Sequence, residues 1–231
     1  MLILEKKMVI FGGSKMNEII LVNDLDEIMG SEEKIKVHRE GILHRAFSIL
    51  VFNSKNELLL QKRTKTKYHS GGLWSNTCCG HQNKGETLEI SAKRRLKEEM
   101  NLDCELEEIF SFRYYTSFND GLIENEIDHV FTGYSNSNPI LNQEEAEDYK
   151  WISLRDLEKD ILENSNKYTS WFKIIFNKYL QKIKVLQREK SFTITKRIAK
   201  HGSQAVIIIP ALLQQELCAG KIVQANIEVL E

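Results

Sequence analysis

The chain has 231 residues, enough for one sizeable core or for one domain with a small appendage. Lys and Arg (32) nearly balance Asp and Glu (33), which excludes a chain-wide basic footprint for nucleic acid but leaves room for a local basic pocket. No run approaches eighteen apolar residues, the four cysteines make a poor disulfide framework at this length, and MLILEKKMVIFGG lacks a continuous signal region, so a cytoplasmic chain without a membrane span is expected.

Residues 1–15 are expected to form a flexible N-terminal extension, with Met16 an alternative start. IILV (19–22) reads as a short edge strand, followed by a turn and a charged stretch through Arg39. AFSILVF (46–52) reads as a buried strand. SKNE (54–57) is a hairpin-type turn from which LLLQKR (58–63) returns. A basic, glycine-containing loop runs from Thr64 to Gly72, and WSNTCCGH (74–81) is extended. From Thr87 to Met100 the period becomes helical, with Leu88, Ala92, Leu96 and Met100 forming an apolar stripe. Residues 106–118 and 124–134 read as strands joined by a turn at 119–121. After an acidic loop, WISLRDLEKDIL (151–162) carries a strand, a cap at Ser153 and a helix. Residues 168–183 form the last amphipathic helix. Strands in mixed order with outer helices predict an α/β sandwich over residues 16–183, with a small β-rich appendage over 184–231.

Several patterns carry chemistry. Cys79 and His81 alternate onto one face of an extended segment and Cys78 onto the other, although both cysteines could be core hydrophobes. Glu124, Glu126 and Asp128 share a strand face, where burial would demand a metal or a proton to compensate. His38, His44 and His81 with Glu124 and Glu126 could ligate one metal, and Glu99 on the helix could hold a magnesium-like cation. Lys34, Arg63, Lys65, Lys67 and Arg95 could bind an anionic head group, with Lys65 more at home in solvent.

GHQNKGETLEISAKRRLKEEMNL (80–102) resembles the Nudix box, with Gly80, Glu86, Arg94, Glu98 and Glu99 at the family spacing. Arg95 stands where a glutamate is normal and Asn101 where a glycine is normal, which argues against ordinary diphosphate hydrolysis. Those departures, NTCCGH (76–81), RYYTSFNDGLIENE (113–126) and the pair His38/His44 resemble type I isopentenyl-diphosphate isomerases over roughly residues 18–182. The resemblance implies a Nudix-type mixed-sheet α/β/α sandwich. It further implies zinc or manganese on His38, His44, His81, Glu124 and Glu126, and magnesium on Glu99. Lys34, Arg63, Lys67 and Arg95 would clamp an isoprenoid diphosphate. Cys79 and Glu126, the latter assisted by Tyr114, would exchange protons across the hydrocarbon. Trp171 would face the carbocation, and neither flavin nor nicotinamide would be needed. The rival readings are a Nudix hydrolase and an inactive metal-binding regulator. Residues 190–231 weakly resemble AbrB-type swapped hairpins, which implies a homodimer or packing role, with DNA contact through Lys196, Arg197, Lys200 and His201 the lesser reading.

Overall fold

Alternation in one central strand feeds the two larger hydrophobic cores among the described residues. In β3 (His44–Phe52), Phe47, Ile49 and Val51 point to one side and Leu50 and Phe52 to the other. The first set packs against Ala92, Leu96 and Met100 of α2 (Leu88–Met100). The second packs with Leu157 and Ile161 of α3 (Leu154–Glu163) and Phe172, Ile175 and Phe176 of α4 (Ser170–Arg188). The computed structural model describes residues 18–67, 69–118, 120–188, 199–201 and 204–206.

Among those residues the larger sheet has nine strands. β1 (Glu18–Val22) lies between β2 (Ile28–Glu33) and β3, so β2 rather than residues 19–22 forms the edge. β2 was hidden in the sequence because Ile28 and Met29 are both exposed and no alternation marks it. The charged stretch after it folds as α1 (Lys34–Glu40). Its start is capped by Glu33, whose side chain accepts from Ile35 N and Lys36 N at 2.9 and 2.8 Å, and Gly41 ends it at φ 63°.

The expected hairpin between β3 and β4 (Glu57–Arg63) forms only at its tip, where Phe52 pairs with Leu58. The strands then diverge because each finds other partners. β3 takes β6 (Cys78–His81) antiparallel and β8 (Ile123–Tyr134) parallel. β4 takes β5 (Trp74–Ser75) and β9 (Ala146–Ser153), both antiparallel. β7 (Leu106–Ser117) pairs antiparallel with β8. Helix α2 begins at Thr87, whose side chain accepts from Ile90 N at 3.2 Å. It ends at Asn101 with φ 51°, a left-handed position that asparagine tolerates in place of glycine. Ser153 caps α3 by accepting from Asp156 N at 3.1 Å. The mixed sheet with helices on both faces is the expected α/β/α sandwich.

Two units separate at residues 184 and 185. The second contains an antiparallel pair, β10 (Ala199–His201) and β11 (Gln204–Val206), which carries Lys200 and His201. The extension 1–15, Met16, Lys196 and Arg197 lie outside the described residues. No described helix is long and apolar enough to cross a membrane.

Candidate active site

Register places the reactive side chains. Cys79 pairs with Ser48 and His81 with Ala46 on one side of β3; Glu126 pairs with His44 and Asp128 with Ala46 on the other. β6 and β8 are therefore two strand spacings apart, roughly 10 Å between backbones. A cavity of about 240 Å³ is lined by Cys79 and His81 from one side and by Glu124, Glu126 and Asp128 from the other. Alternation sends Cys78 into the core against α2, fully buried.

Around His81, which lines the cavity, His38 of α1 and His44 gather so that the three rings lie within 5.0 Å of one another, centroid to centroid. One ligand atom from each, together with a Glu126 oxygen, lies within 4.8 Å of the others. The chemistry of this donor set fits a metal ion. His44 presents Nδ1 to the Ile42 carbonyl oxygen at 2.8 Å and Nε2 to Glu126 Oε1 at 3.2 Å. Both partners are acceptors, and a cation shared by Nε2 and Oε1 would satisfy both when the ring carries its single N–H on Nδ1. His38 Nδ1 likewise meets Lys34 O at 2.7 Å, and His81 Nε2 lies 2.9 Å from Glu126 Oε1. Burial pushes His38 down to about 4, with His44 adding to it, and holds His81 well below the usual range. The His38 and His81 rings are thus available as neutral ligands.

Glu124 lies outside this four-atom group. Its Oε2 accepts from Tyr114 OH at 2.8 Å, and the same hydroxyl is 2.6 Å from Glu126 Oε2. Burial and the neighbouring Glu126 push Glu124 well above the carboxylate range. Burial acts on Glu126 in the same direction, but His44 and His81 outweigh it and hold that carboxyl well below. Asp128 is raised by burial and by Glu126, and accepts from Ser48 Oγ at 2.8 Å. The repulsion expected of three carboxylates on one face shows in the upward shifts of Glu124 and Asp128, while the imidazoles around Glu126 offset it there.

The other end of the cavity is cationic. Lys34, Arg63, Lys67 and Arg95 all line it. Burial, then Arg95 and Arg63, lower the Lys34 pKa, which reports crowding of positive charge. Glu99, 4% exposed, accepts from Gln61 at 2.9 Å and pairs with Arg95. Lys65 is exposed and takes no part. Two parts of the loop after β4 approach closely: a Cβ on Gly71 would lie 2.6 Å from the Lys65 oxygen, and Gly72 has φ 76°. That loop brings in His69, which sequence reasoning missed. Glu145 was also missed; it pairs with Lys67 and stands 3.1 Å from Arg95. Its only signal was membership of an acidic loop.

Cys79 is pushed up to about 12 by burial, against the influence of Arg63, whose Nη1 lies 3.9 Å from the sulfur. Trp171, 3% exposed, is both core and cavity wall. Its Nε1 donates to Asn76 Oδ1 at 3.1 Å, and the Arg63 guanidinium lies 5.2 Å from its ring.

Comparison with known proteins bears on the family and the fold. The NUDIX domain model matches residues 42–172. The chain is 52% identical over 163 residues to isopentenyl-diphosphate Delta-isomerase 2 of Photorhabdus laumondii, covering 70% of this chain and 92% of the relative. It is 49% identical over 155 residues to isopentenyl-diphosphate Delta-isomerase 2 of Aromatoleum aromaticum, covering 67% and 82%. Among solved structures, a protein from Deinococcus radiodurans has a TM-score of 0.53 at 20% identity, over 64% of this chain and 90% of that one. The MutT protein of Methanosarcina mazei has a TM-score of 0.51 at 22% identity, over 62% and 96%. At those identities the structures speak for the fold alone.

Proposed function

We infer the reaction from kinship and geometry together: the chain belongs to the Nudix-domain family and, within it, to the isopentenyl-diphosphate isomerases. It is an isomerase that interconverts isopentenyl diphosphate and dimethylallyl diphosphate. The observation that carries the site assignment is one cavity lined by Cys79 from β6 and by Glu126 from β8, with β3 between them.

The alkene is unactivated, so adding a proton to its terminal carbon creates a tertiary cation at the next carbon. Losing a proton from the adjacent methylene then completes the shift. One group must give a proton and another must take one. In this reading the Glu126–Tyr114 side gives and Cys79 takes, and the roles exchange in reverse. Arg63, 3.9 Å from the sulfur, opposes the burial that raises the Cys79 thiol without overcoming it. The Trp171 ring faces the cation, a contact worth about 2 kcal/mol or more when desolvated. Lys34, Arg63, Lys67 and Arg95 hold the diphosphate. Zinc or manganese on His38, His44, His81 and Glu126, with Glu124 completing the set, would tune the proton affinity of Glu126, and magnesium at Glu99 would neutralise phosphate charge. No flavin or nicotinamide enters this chemistry, since no electrons leave the substrate.

One observation favours the opposite order of proton transfer. Burial keeps Cys79 a neutral thiol, which suits a donor, while Glu126 is held ionised, which suits an acceptor. A hydrolase is disfavoured because Arg95, not glutamate, occupies the helix position beside Glu98 and Glu99. The thiol requirement also suits a reducing, cytoplasmic location. Residues 184–231 are assigned a homodimer or packing role rather than DNA binding; deleting 190–231 and measuring oligomeric state and DNA affinity tests that. The activity itself is tested with isopentenyl diphosphate and magnesium in heavy water. Dimethylallyl diphosphate carrying deuterium is expected, whereas release of free phosphate would favour the hydrolase.

A further inference from the structure

The loop between β4 and β5 delivers a second imidazole, beside His81, to the cavity lining. His69 is 6% exposed and lines the cavity. Its Nε2 lies 3.2 Å from Glu124 Oε1. Its ring stacks on Phe118 at 4.6 Å and 17°, and meets the Trp171 ring edge-on at 5.8 Å and 88°. The backbone behind it is pinned as well: Arg63 Nη2 donates to His69 O at 3.4 Å, and Gly72 N donates to Arg63 O at 2.9 Å. The imidazole therefore has a fixed plane and a fixed distance from the carboxylate.

Glu124 is gripped at both oxygens, Oε1 by His69 and Oε2 by Tyr114 OH at 2.8 Å. The same hydroxyl reaches Glu126 at 2.6 Å, and Glu126 reaches His81 at 2.9 Å. A line of polar contacts thus runs from the loop to the histidine cluster. We propose that His69 is a positioning residue: it fixes the Glu124 carboxylate, and through it the Tyr114 hydroxyl, beside Glu126. The proposal rests on the reading of Glu124 as completing the metal set. It gives the 64–73 loop two tasks, Lys67 for the diphosphate and His69 for the proton-handling end. Partners that orient ligating groups are worth about 10- to 100-fold in metal affinity or activity.

The test separates the nitrogen from the ring. His69→Phe keeps an aromatic between Phe118 and Trp171 but removes the polar contact; His69→Gln restores a polar tip. Manganese affinity is measured by competition with a chromophoric chelator, alongside kcat, KM and Tm. For His69→Phe, metal affinity and kcat should each fall about tenfold or more. KM should stay within about threefold, because the diphosphate clamp is untouched, and His69→Gln should recover most of the loss. In a Glu124→Gln background, His69→Phe should cost little more, since both act through one carboxylate. The proposal is overturned if His69→Phe retains metal affinity and kcat within about twofold at unchanged Tm. An equal loss with and without Glu124 also overturns it, and this arm decides the matter should His69→Phe lose stability. A wild-type protein that binds no manganese would instead sink the metal reading, and the kcat arm of the cycle would still judge His69.

Discussion

Thr77 holds together the place where the sheet splits. β3 and β4 pair only at Phe52 and Leu58, and the fully buried Thr77 bridges the gap just behind that pair. Its hydroxyl donates to Leu59 O at 2.6 Å and accepts from Val51 N at 2.9 Å. Thr77→Val keeps the shape but leaves one buried N–H and one buried carbonyl facing a methyl group. Each unsatisfied group costs about 1–3 kcal/mol, so the variant should be about 2–6 kcal/mol less stable. At roughly 2–4 °C per kcal/mol for a chain of this size, Tm should fall by about 4 °C or more. Thr77→Ser keeps both bonds and loses only a methyl, so it should stay within about 1 kcal/mol of wild type. Urea unfolding of the metal-free protein, read by circular dichroism, measures both. A Thr77→Val variant within about 0.5 kcal/mol of wild type would refute the reasoning.

Stability of the metal-free protein should depend on His38 between pH 6.5 and about 4. Across that window the unfolded ring takes up a proton that the buried ring refuses, so stability is lost as pH falls. Glu124, raised in the fold, has the opposite sign and loses its contribution as pH rises, so the test compares wild type with His38→Asn. The wild-type urea midpoint should drop more between pH 7 and pH 5 than that of the variant; parallel curves would count against the assignment. Lys67→Met should raise KM for the diphosphate about tenfold by removing a charge-assisted contact. Glu145→Gln, which removes the carboxylate competing for Lys67 and Arg95, should lower it; steady-state kinetics reads both. Cys78→Ala should keep kcat within about threefold and cost about 1 kcal/mol of stability, as expected of a core thiol.

Much of this molecule was legible where side-chain period and burial coincide. The run from Ala46 to Phe52, the stripe from Leu88 to Met100 and the alternation of Glu124, Glu126 and Asp128 each announce an element and the face it buries. Cys79 and His81 sharing a face followed from the same rule. α1 was not legible, because KIKVHRE is short and its start depends on the Glu33 cap rather than on an apolar stripe. The turn at 54–57 and the returning strand were legible, and Phe52 pairs with Leu58, but competition from β6, β8 and β9 decides the partners of the rest of each strand. His69 and Glu145 sit on loops whose paths are set by glycine contacts and backbone bonds to distant residues. Neither carries a periodic signal. The stretch from Thr64 to Gly72 was legible as a basic, glycine-containing loop, but not what it would deliver.

The claim that two proton stations flank one hydrocarbon is tested most directly by following Cys79→Ala and Glu126→Gln with isopentenyl diphosphate in heavy water by NMR. Neither variant should form dimethylallyl diphosphate, and only one of the two should still exchange deuterium into the terminal alkene carbon. Exchange by Cys79→Ala makes the Glu126 side the donor; exchange by Glu126→Gln makes it Cys79. A folded variant of either kind that isomerises at near wild-type rate would contradict the account.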